Sequence, residues 1–374
     1  MRLNNRKELM ELIAGKKLSR RDMLALGGSA ALAAGLAGVS SKARAAGKFD
    51  GKSVVFASWG GAYQDAQKVC YCDPFAQKTG ANVIQDGPMD EAKFRAMVEA
   101  GDSVWDVGDI THEFLFNGIK NNLFEKLDLT KINVARVDER YRNDYGIGDI
   151  VWSYNIGYST KTFKDGTHPK SWAEVFDLAK FPGTRTLPGN SPNATLEVAA
   201  LADGVPVDKL YEILATDEGI DRALKKLSSI KDKLILWDTN SQSQQLFIDG
   251  EVTCGMILNG RAYDAAQKGG QIAVDWNQNI QSIDYLVIPR GANNIETALG
   301  LIDEMTVAEN QAKLANMIAY SPTNKEAFAT IDQKIVPWLA TSPENAAKGF
   351  VIDGAFWEKN LEKISERWEE WKLS

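Results

Sequence analysis

The stretch Val252-Thr253-Cys254-Gly255-Met256-Ile257-Leu258-Asn259-Gly260-Arg261 decides the fold when read with Ile283-Asp284-Tyr285-Leu286-Val287-Ile288-Pro289. Each apolar run is short, rich in β-branched or bulky residues and bounded by turn residues. That pattern predicts two strands of a covered sheet. Each run also carries a charge where a buried strand tolerates no stray one. Arg261 falls just past the end of the first strand, and Asp284 stands at the start of the second. Both places border a crevice, so the two charges are expected to hold the ends of a small charged ligand. Two bland readings compete. Arg261 could ion-pair with Asp284 or with a surface acid, and Asp284 could do no more than cap its strand.

Working outward toward the N-terminus, Lys52–Ala57, Ala81–Ile84 and Trp105–Ile110 read as strands. They alternate with helical patterns over 62–79, where Pro74 predicts a kink, and over 90–99. Strand–helix alternation of this kind predicts a parallel sheet with both faces covered, and such sheets place ligands beyond their C-terminal strand ends. Trp59, Gly60 and Gly61 lie at one such end; Thr111 and His112 lie at another. The glycines lack the wider spacing of a phosphate-cradling loop, so they read as clearance for whatever packs on Trp59.

Gly146–Asn155 alternates as a strand between the two halves, and Ser171-Trp172-Ala173-Glu174 opens a helix with a capping box. Residues 181–193 are rich in Pro, Gly and Asn and read as a loop. Helices are expected around 194–202, 206–215 and 217–230, then a strand at 233–237 and a helix led in by Asp238–Ser241. At the end, Trp357, Leu361, Ile364 and Trp368 recur on one helical face and predict an amphipathic helix packed on its own domain. The expected organisation is an α/β protein of two lobes with mixed, mainly parallel sheets. Residues 48–146 and 286–374 form lobe 1 and 147–285 form lobe 2. Two crossing strands near Ile150 and Tyr285 hinge them, with the ligand in the cleft between.

The first 45 residues stand apart. Ser19-Arg20-Arg21-Asp22-Met23-Leu24 precedes an Ala/Gly-rich apolar run to Val39, and Ala43-Arg44-Ala45 ends it with small residues. This resembles a twin-arginine export signal that is removed. The run falls short of the roughly 20 apolar residues that cross a bilayer comfortably. These residues hold nine Lys/Arg and three acids, so removing them takes the formal charge from -7 to -13. So acidic a chain is a poor partner for nucleic acid or anionic membranes. Three cysteines are too few for a disulfide framework, and the two histidines lack metal-ligand spacing. No cofactor motif is present.

Taken together, Phe56-Ala57-Ser58-Trp59-Gly60-Gly61-Ala62-Tyr63, Ser171-Trp172-Ala173-Glu174, Gly250-Glu251-Val252 leading to Met256–Tyr263, Asp284–Pro289 and Tyr320-Ser321-Pro322-Thr323-Asn324 resemble one family. It is the periplasmic solute-binding proteins of ATP-driven (ABC) importers, in the spermidine/putrescine-binding branch. The resemblance covers essentially all of 50–372. It implies the two-lobed periplasmic binding fold, a periplasmic monomer without enzymatic activity, and an inner-membrane ABC permease as partner. The twin-arginine translocase would be a further partner during export. It also implies that Trp59 packs on the ligand and that Asp284 grips an amine. Departures refine this: Leu258 and Ser282-Ile283 stand where polyamine binders carry aromatics, and Arg185 and Asn190 stand where those present acids. The Arg after Asn259-Gly260 matches relatives that resemble binders of γ-aminobutyrate and similar amino acids, in which the Arg meets a carboxylate. Thr111, His112, Trp152, Tyr154 and Asn240 are further expected lining residues. The expected ligand is therefore a small amine-bearing zwitterion. A polyamine (putrescine or spermidine) is the alternative, and a secreted enzyme working through Asp106, Asp109 and His112 a remote one.

Overall fold

The computed structural model describes residues 47–374 apart from Asp165, so the expected export signal lies outside the described residues. Strands β1 (Ser53–Ala57), β2 (Asn82–Asp86) and β3 (Val107–Thr111) alternate with helices as the sequence predicts. β1 pairs in parallel with both neighbours. The first helical stretch is not one kinked helix. It runs as α1 (Gly61–Gln67), a π-helical turn over Lys68–Cys72, and α2 (Asp73–Thr79). Pro74 sits in the first turn of α2, where its missing N–H costs nothing. The wider turn before it takes up the clash its ring would make with the preceding turn. α3 (Glu91–Ala100) is capped by the Asp90 carboxylate, which accepts from Lys93 N, and α4 (His112–Lys120) by the Thr111 hydroxyl, which accepts from Phe114 N.

Beyond α4 come β4 (Gly146–Ser159), α5 (Trp172–Val175), β5 (Arg185–Pro188), α6 (Thr195–Ala202), α7 (Leu210–Leu214) and α8 (Asp217–Ser228). There follow β6 (Leu234–Trp237), α9 (Asn240–Ile248), β7 (Cys254–Leu258), α10 (Asn259–Gln267) and β8 (Ile272–Val287). The chain ends with α11 (Ile295–Met305), α12 (Ala308–Ile318), β9 (Ser321–Pro322), α13 (Pro343–Ala346), β10 (Phe350–Val351) and α14 (Gly354–Leu373). The sheet order is β2-β1-β3-β8-β4-β7-β5-β6, with β9 on β4 and β10 on β8. Parallel pairs occupy both ends of this order, while β3, β8, β4 and β7 pair antiparallel in its middle. The long strands β4 and β8 pair with each other in this middle along most of their length.

Two expectations are corrected. Residues 181–193 are not all loop: β5 is a fully buried four-residue strand between β6 and β7, hidden in the sequence by Gly-Pro punctuation on both sides. The C-terminal helix α14 does not pack only on the first half. Trp357, Ile364, Trp368 and Trp371 share a core with α6, α7 and α8, and Trp357 Nε1 donates to Glu197 Oε1 at 2.6 Å. Its other flank meets α4, where Lys120 pairs with Glu358. The helix therefore touches both α4 and the α6–α8 group.

Candidate functional site

The C-terminal ends of β1, β3, β5, β6 and β7 all open onto one cavity of about 540 Å³. Each strand end delivers its residue to it: Trp59 after β1, Thr111 closing β3, Asn190 after β5, Trp237 closing β6 and Leu258 closing β7. β4 contributes Ile150, Trp152 and Tyr154, alternate residues on one face of a pleated strand. β8 contributes Asp284 across from Thr111 on one side and Ile150 on the other.

Asn259-Gly260-Arg261 shows how local chemistry builds one end. Asn259 is fully buried; its Oδ1 accepts from Ser153 N at 3.0 Å, and its Nδ2 donates to Ala319 O at 2.8 Å and Trp338 O at 2.9 Å. It ties β4, β7 and the segment before β9 together. Gly260 is required by close approach: a Cβ there would lie 2.4 Å from Tyr320 Cε1. With the backbone fixed this way, Arg261 reaches the cavity from the first turn of α10. Tyr320 lines the cavity with it, and the Arg261 charge acts on both Tyr320 and Asp264. Its buried Nε has no hydrogen-bond partner.

Asp284 builds the other end. It is buried, and Oδ1 accepts from Trp152 Nε1 at 2.7 Å. Burial, then the nearby Asp109 carboxylate, holds its carboxyl well above the usual range, with the charges of Asp149 and Glu113 adding to the effect. Among the described residues no ion pair joins Asp284 to Arg261, so the bland reading of a mutual salt bridge does not describe this structure. Both groups line the same cavity and neither is paired with the other.

Of the other expected residues, Trp59, Thr111, Trp152, Tyr154 and Asn240 line the cavity. The indole N–H of Trp59 is buried without a partner. Three do not line it. Arg185 is fully buried under the sheet: Nε donates to Val175 O at 2.6 Å, Nη1 to Gly183 O at 2.9 Å, and Nη2 to the Asp177 and Phe181 carbonyls. Its five-donor fork is consumed as a structural clamp. His112 packs on Phe116, Tyr285 and the start of α14, and burial pulls its imidazole down to about 4, leaving it neutral. Gly60 takes φ 71° as the residue before α1, and its N–H already donates to Gln64 Oε1 at 2.9 Å. The remote enzyme reading loses its parts as well. Asp106 is spent on Val55 N and on Asn294, Asp109 on Ser58 and Gln67, and no hydrogen bond joins either to His112 among the described residues.

Sequence reasoning missed Glu91, Glu113, Tyr63, Trp237 and Tyr320, all of which line the cavity. A signal was present for the two glutamates. Each occupies the first turn of a helix that follows a parallel strand, the place from which side chains reach back over strand ends. Choosing His112 over Glu113 missed by one residue.

Beneath the cavity lies a buried acid pair. Gln67 Nε2 donates to Asp109 Oδ2 and to Asp149 Oδ2, at 2.8 Å each, and the Tyr63 hydroxyl donates to Asp149 at 3.1 Å. Asp149 is the extra residue of a β-bulge, since Gly148 opposes Tyr285 while Ile150 opposes Asp284. Burial, followed by the charge of Asp149, pushes Asp109 up to about 8; burial pushes Asp149 up to about 6. The three cysteines are free and buried.

Comparison with known proteins gives this arrangement its context. Residues 70–347 match the family described as bacterial extracellular solute-binding protein. A γ-aminobutyric acid-binding protein of Pseudomonas aeruginosa is 32% identical over 332 residues, covering 87% of this chain and 93% of its own. The spermidine/putrescine-binding periplasmic protein of Escherichia coli is 25% identical over 314 residues, covering 80% and 85%. The solved Atu4243 GABA receptor superposes with a TM-score of 0.78 at 39% identity, covering 86% of this chain and 97% of that one.

Proposed function

The chain belongs to the bacterial extracellular solute-binding proteins, the capture components of ABC importers, and from that premise we propose that it binds a small amine-bearing zwitterion, such as γ-aminobutyrate or a related amino acid, for delivery to an inner-membrane permease. One observation carries the reading: Arg261 and Asp284 line the same cavity and are not paired with each other. A guanidinium offers a two-pronged donor set matched to a carboxylate. A buried carboxylate with a raised pKa is stabilised when an ammonium arrives beside it. Trp59, Trp152 and Tyr154 supply walls for the methylenes between, while Thr111 and Asn240 offer neutral polar contacts. Relatives whose names specify γ-aminobutyrate support the same class of ligand.

A polyamine is the second reading, favoured by the further acids in the lining. Arg261 opposes it, because a cationic end beside a guanidinium is repelled in a low-dielectric cleft. The lobes, 48–146 with the segment from 286 up to α14, and 147–285 with the face of α14 that packs on α6, α7 and α8, close on the ligand about β4 and β8. The twin-arginine pattern in residues 1–45 supports export to the periplasm in the folded state, which suits a protein with three unpaired thiols. Titration calorimetry with γ-aminobutyrate and with putrescine tests the assignment. The amino acid is expected to bind more tightly, and Arg261→Ala to abolish its binding. Tight putrescine binding that ignores Arg261→Ala overturns it.

A further inference from the structure

The charges lining the cavity do not balance. Among the described residues Arg261 is the one cation of the lining, against Asp90, Glu91, Glu113 and Asp284. Asp90 is spent as a helix cap, its Oδ1 accepting from Lys93 N at 2.9 Å. The other three carboxylates meet only neutral donors: Thr111 Oγ1 donates to Glu91 at 2.8 Å, the Asn193 amide faces Glu113, and Trp152 donates to Asp284. None of the three has an ion-pair partner among the described residues. The charge of Glu113 disfavours ionisation of both Glu91 and Asp284. Burial is the larger cause at each, and it pushes Glu91 up to about 7. Asp284 is buried, and Glu91 and Glu113 are half-buried at the cavity wall; acids so placed without cations are costly to keep unless something that binds offsets them.

A single ammonium beside Asp284 leaves Glu91 and Glu113 unmatched. The cavity of about 540 Å³ leaves room beside Asp284 for a longer ligand. The aromatic wall continues past Asp284. Trp152 meets Tyr154 edge-on at 4.9 Å, and Tyr154 meets Trp237 at 6.4 Å, where the buried Trp237 indole N–H has no partner. Tyr154, Glu113 and Asp284 all line this cavity. Such rings favour methylenes and organic cations over their faces. A metal ion is a poor occupant, because no three acidic, histidine or cysteine side chains among the described residues converge to hold one.

Resting on the assignment of Arg261 to a carboxylate and Asp284 to an ammonium, we propose that the ligand carries a second cationic nitrogen, held by Glu113 and Glu91. It is thus a basic amino acid, or a derivative of one with an amine or guanidine arm. The carboxylate meets Arg261, the first ammonium Asp284, and the arm runs along the aromatic wall to the two glutamates.

Calorimetry on the full chain with ornithine, lysine, arginine, γ-aminobutyrate and putrescine tests this. At least one basic amino acid is expected to bind about tenfold or more tightly than γ-aminobutyrate, the increment of one charge-assisted contact. Glu113→Gln is expected to shrink that ratio toward one, and Arg261→Ala to weaken both amino acid classes together. γ-Aminobutyrate binding as tightly as all three basic amino acids overturns the second cation while leaving the zwitterion reading intact. Putrescine binding most tightly, with or without Arg261, overturns both. The wild-type ratio answers the question even where the variant fails to fold.

Discussion

Asp109 and Asp149 are carboxylates that the fold keeps without a cation, both leaning on the one amide of Gln67. Between the ordinary carboxylate value of about 3.9 and the raised value of about 8, the folded protein holds a proton on Asp109 that the unfolded chain has released. Stability therefore falls as pH rises through that window, and the cost is complete above it. Asp109→Asn keeps an oxygen for Ser58 and Gln67 to donate to and removes the charge. It is expected to stabilise the protein by about 1–4 kcal/mol near pH 9, with little difference near pH 4. Thermal melts of both proteins across that range are the measurement, and curves that run parallel at every pH refute the account. At this scale the sequence was readable where chemistry sits at a strand end. Arg261, Asp284 and Trp59 follow from position alone. Arg185 does not, because nothing local distinguishes a guanidinium that reaches a ligand from one that closes on four backbone carbonyls.

Among the elements, α14 shows what periodicity tells and what it withholds. The spacing of Trp357, Ile364 and Trp368 gives the helix and its buried stripe, but not what the stripe packs against. Leu361 was read with that stripe, yet it is 38% exposed and lines the cavity. The helix is held to α6 by the indole of Trp357 on Glu197, whose carboxyl burial pushes up to about 8. The phenol of Tyr211 is a second, longer partner at 3.3 Å, and Glu197 Oε2 has none. Trp357→Phe keeps an aromatic filler and removes the shorter donor, so it should cost about 1–3 kcal/mol. In urea this reads as a lower midpoint with an unchanged slope. An unchanged midpoint would show that the helix is held by apolar contact alone. β5 was invisible for a related reason: four residues between Gly and Pro punctuation carry no period, and only their neighbours β6 and β7 make them a strand.

For the molecule as a whole, the alternation of strands and helices foretold parallel strands, which the two ends of the sheet show, and a cavity lies at their C-terminal ends. The antiparallel middle of that sheet was not foretold, since strand order depends on long-range pairing that leaves no local trace. That middle is where closure is expected to occur. β4 and β8 run side by side from Gly146 to Ser159 and break register twice, at Asp149 and again between Tyr154 and Ile156. Bulged strands bend and twist more readily than regular ladders. Glu113 of the first segment and Asn193 of the second line the same cavity. If the bulges act as hinges, the chain without ligand opens, and ligand binding draws it shut. For a compact unit spanning Ala46–Ser374 the radius of gyration should be about 20 Å. Small-angle X-ray scattering should approach that value with saturating ligand and exceed it without. Saturation at 100 times Kd should also stabilise the fold by about 2.7 kcal/mol. A ligand that raises the melting temperature yet leaves the scattering curve unchanged would mean that β4 and β8 form a rigid spine and that the cavity fills without closing.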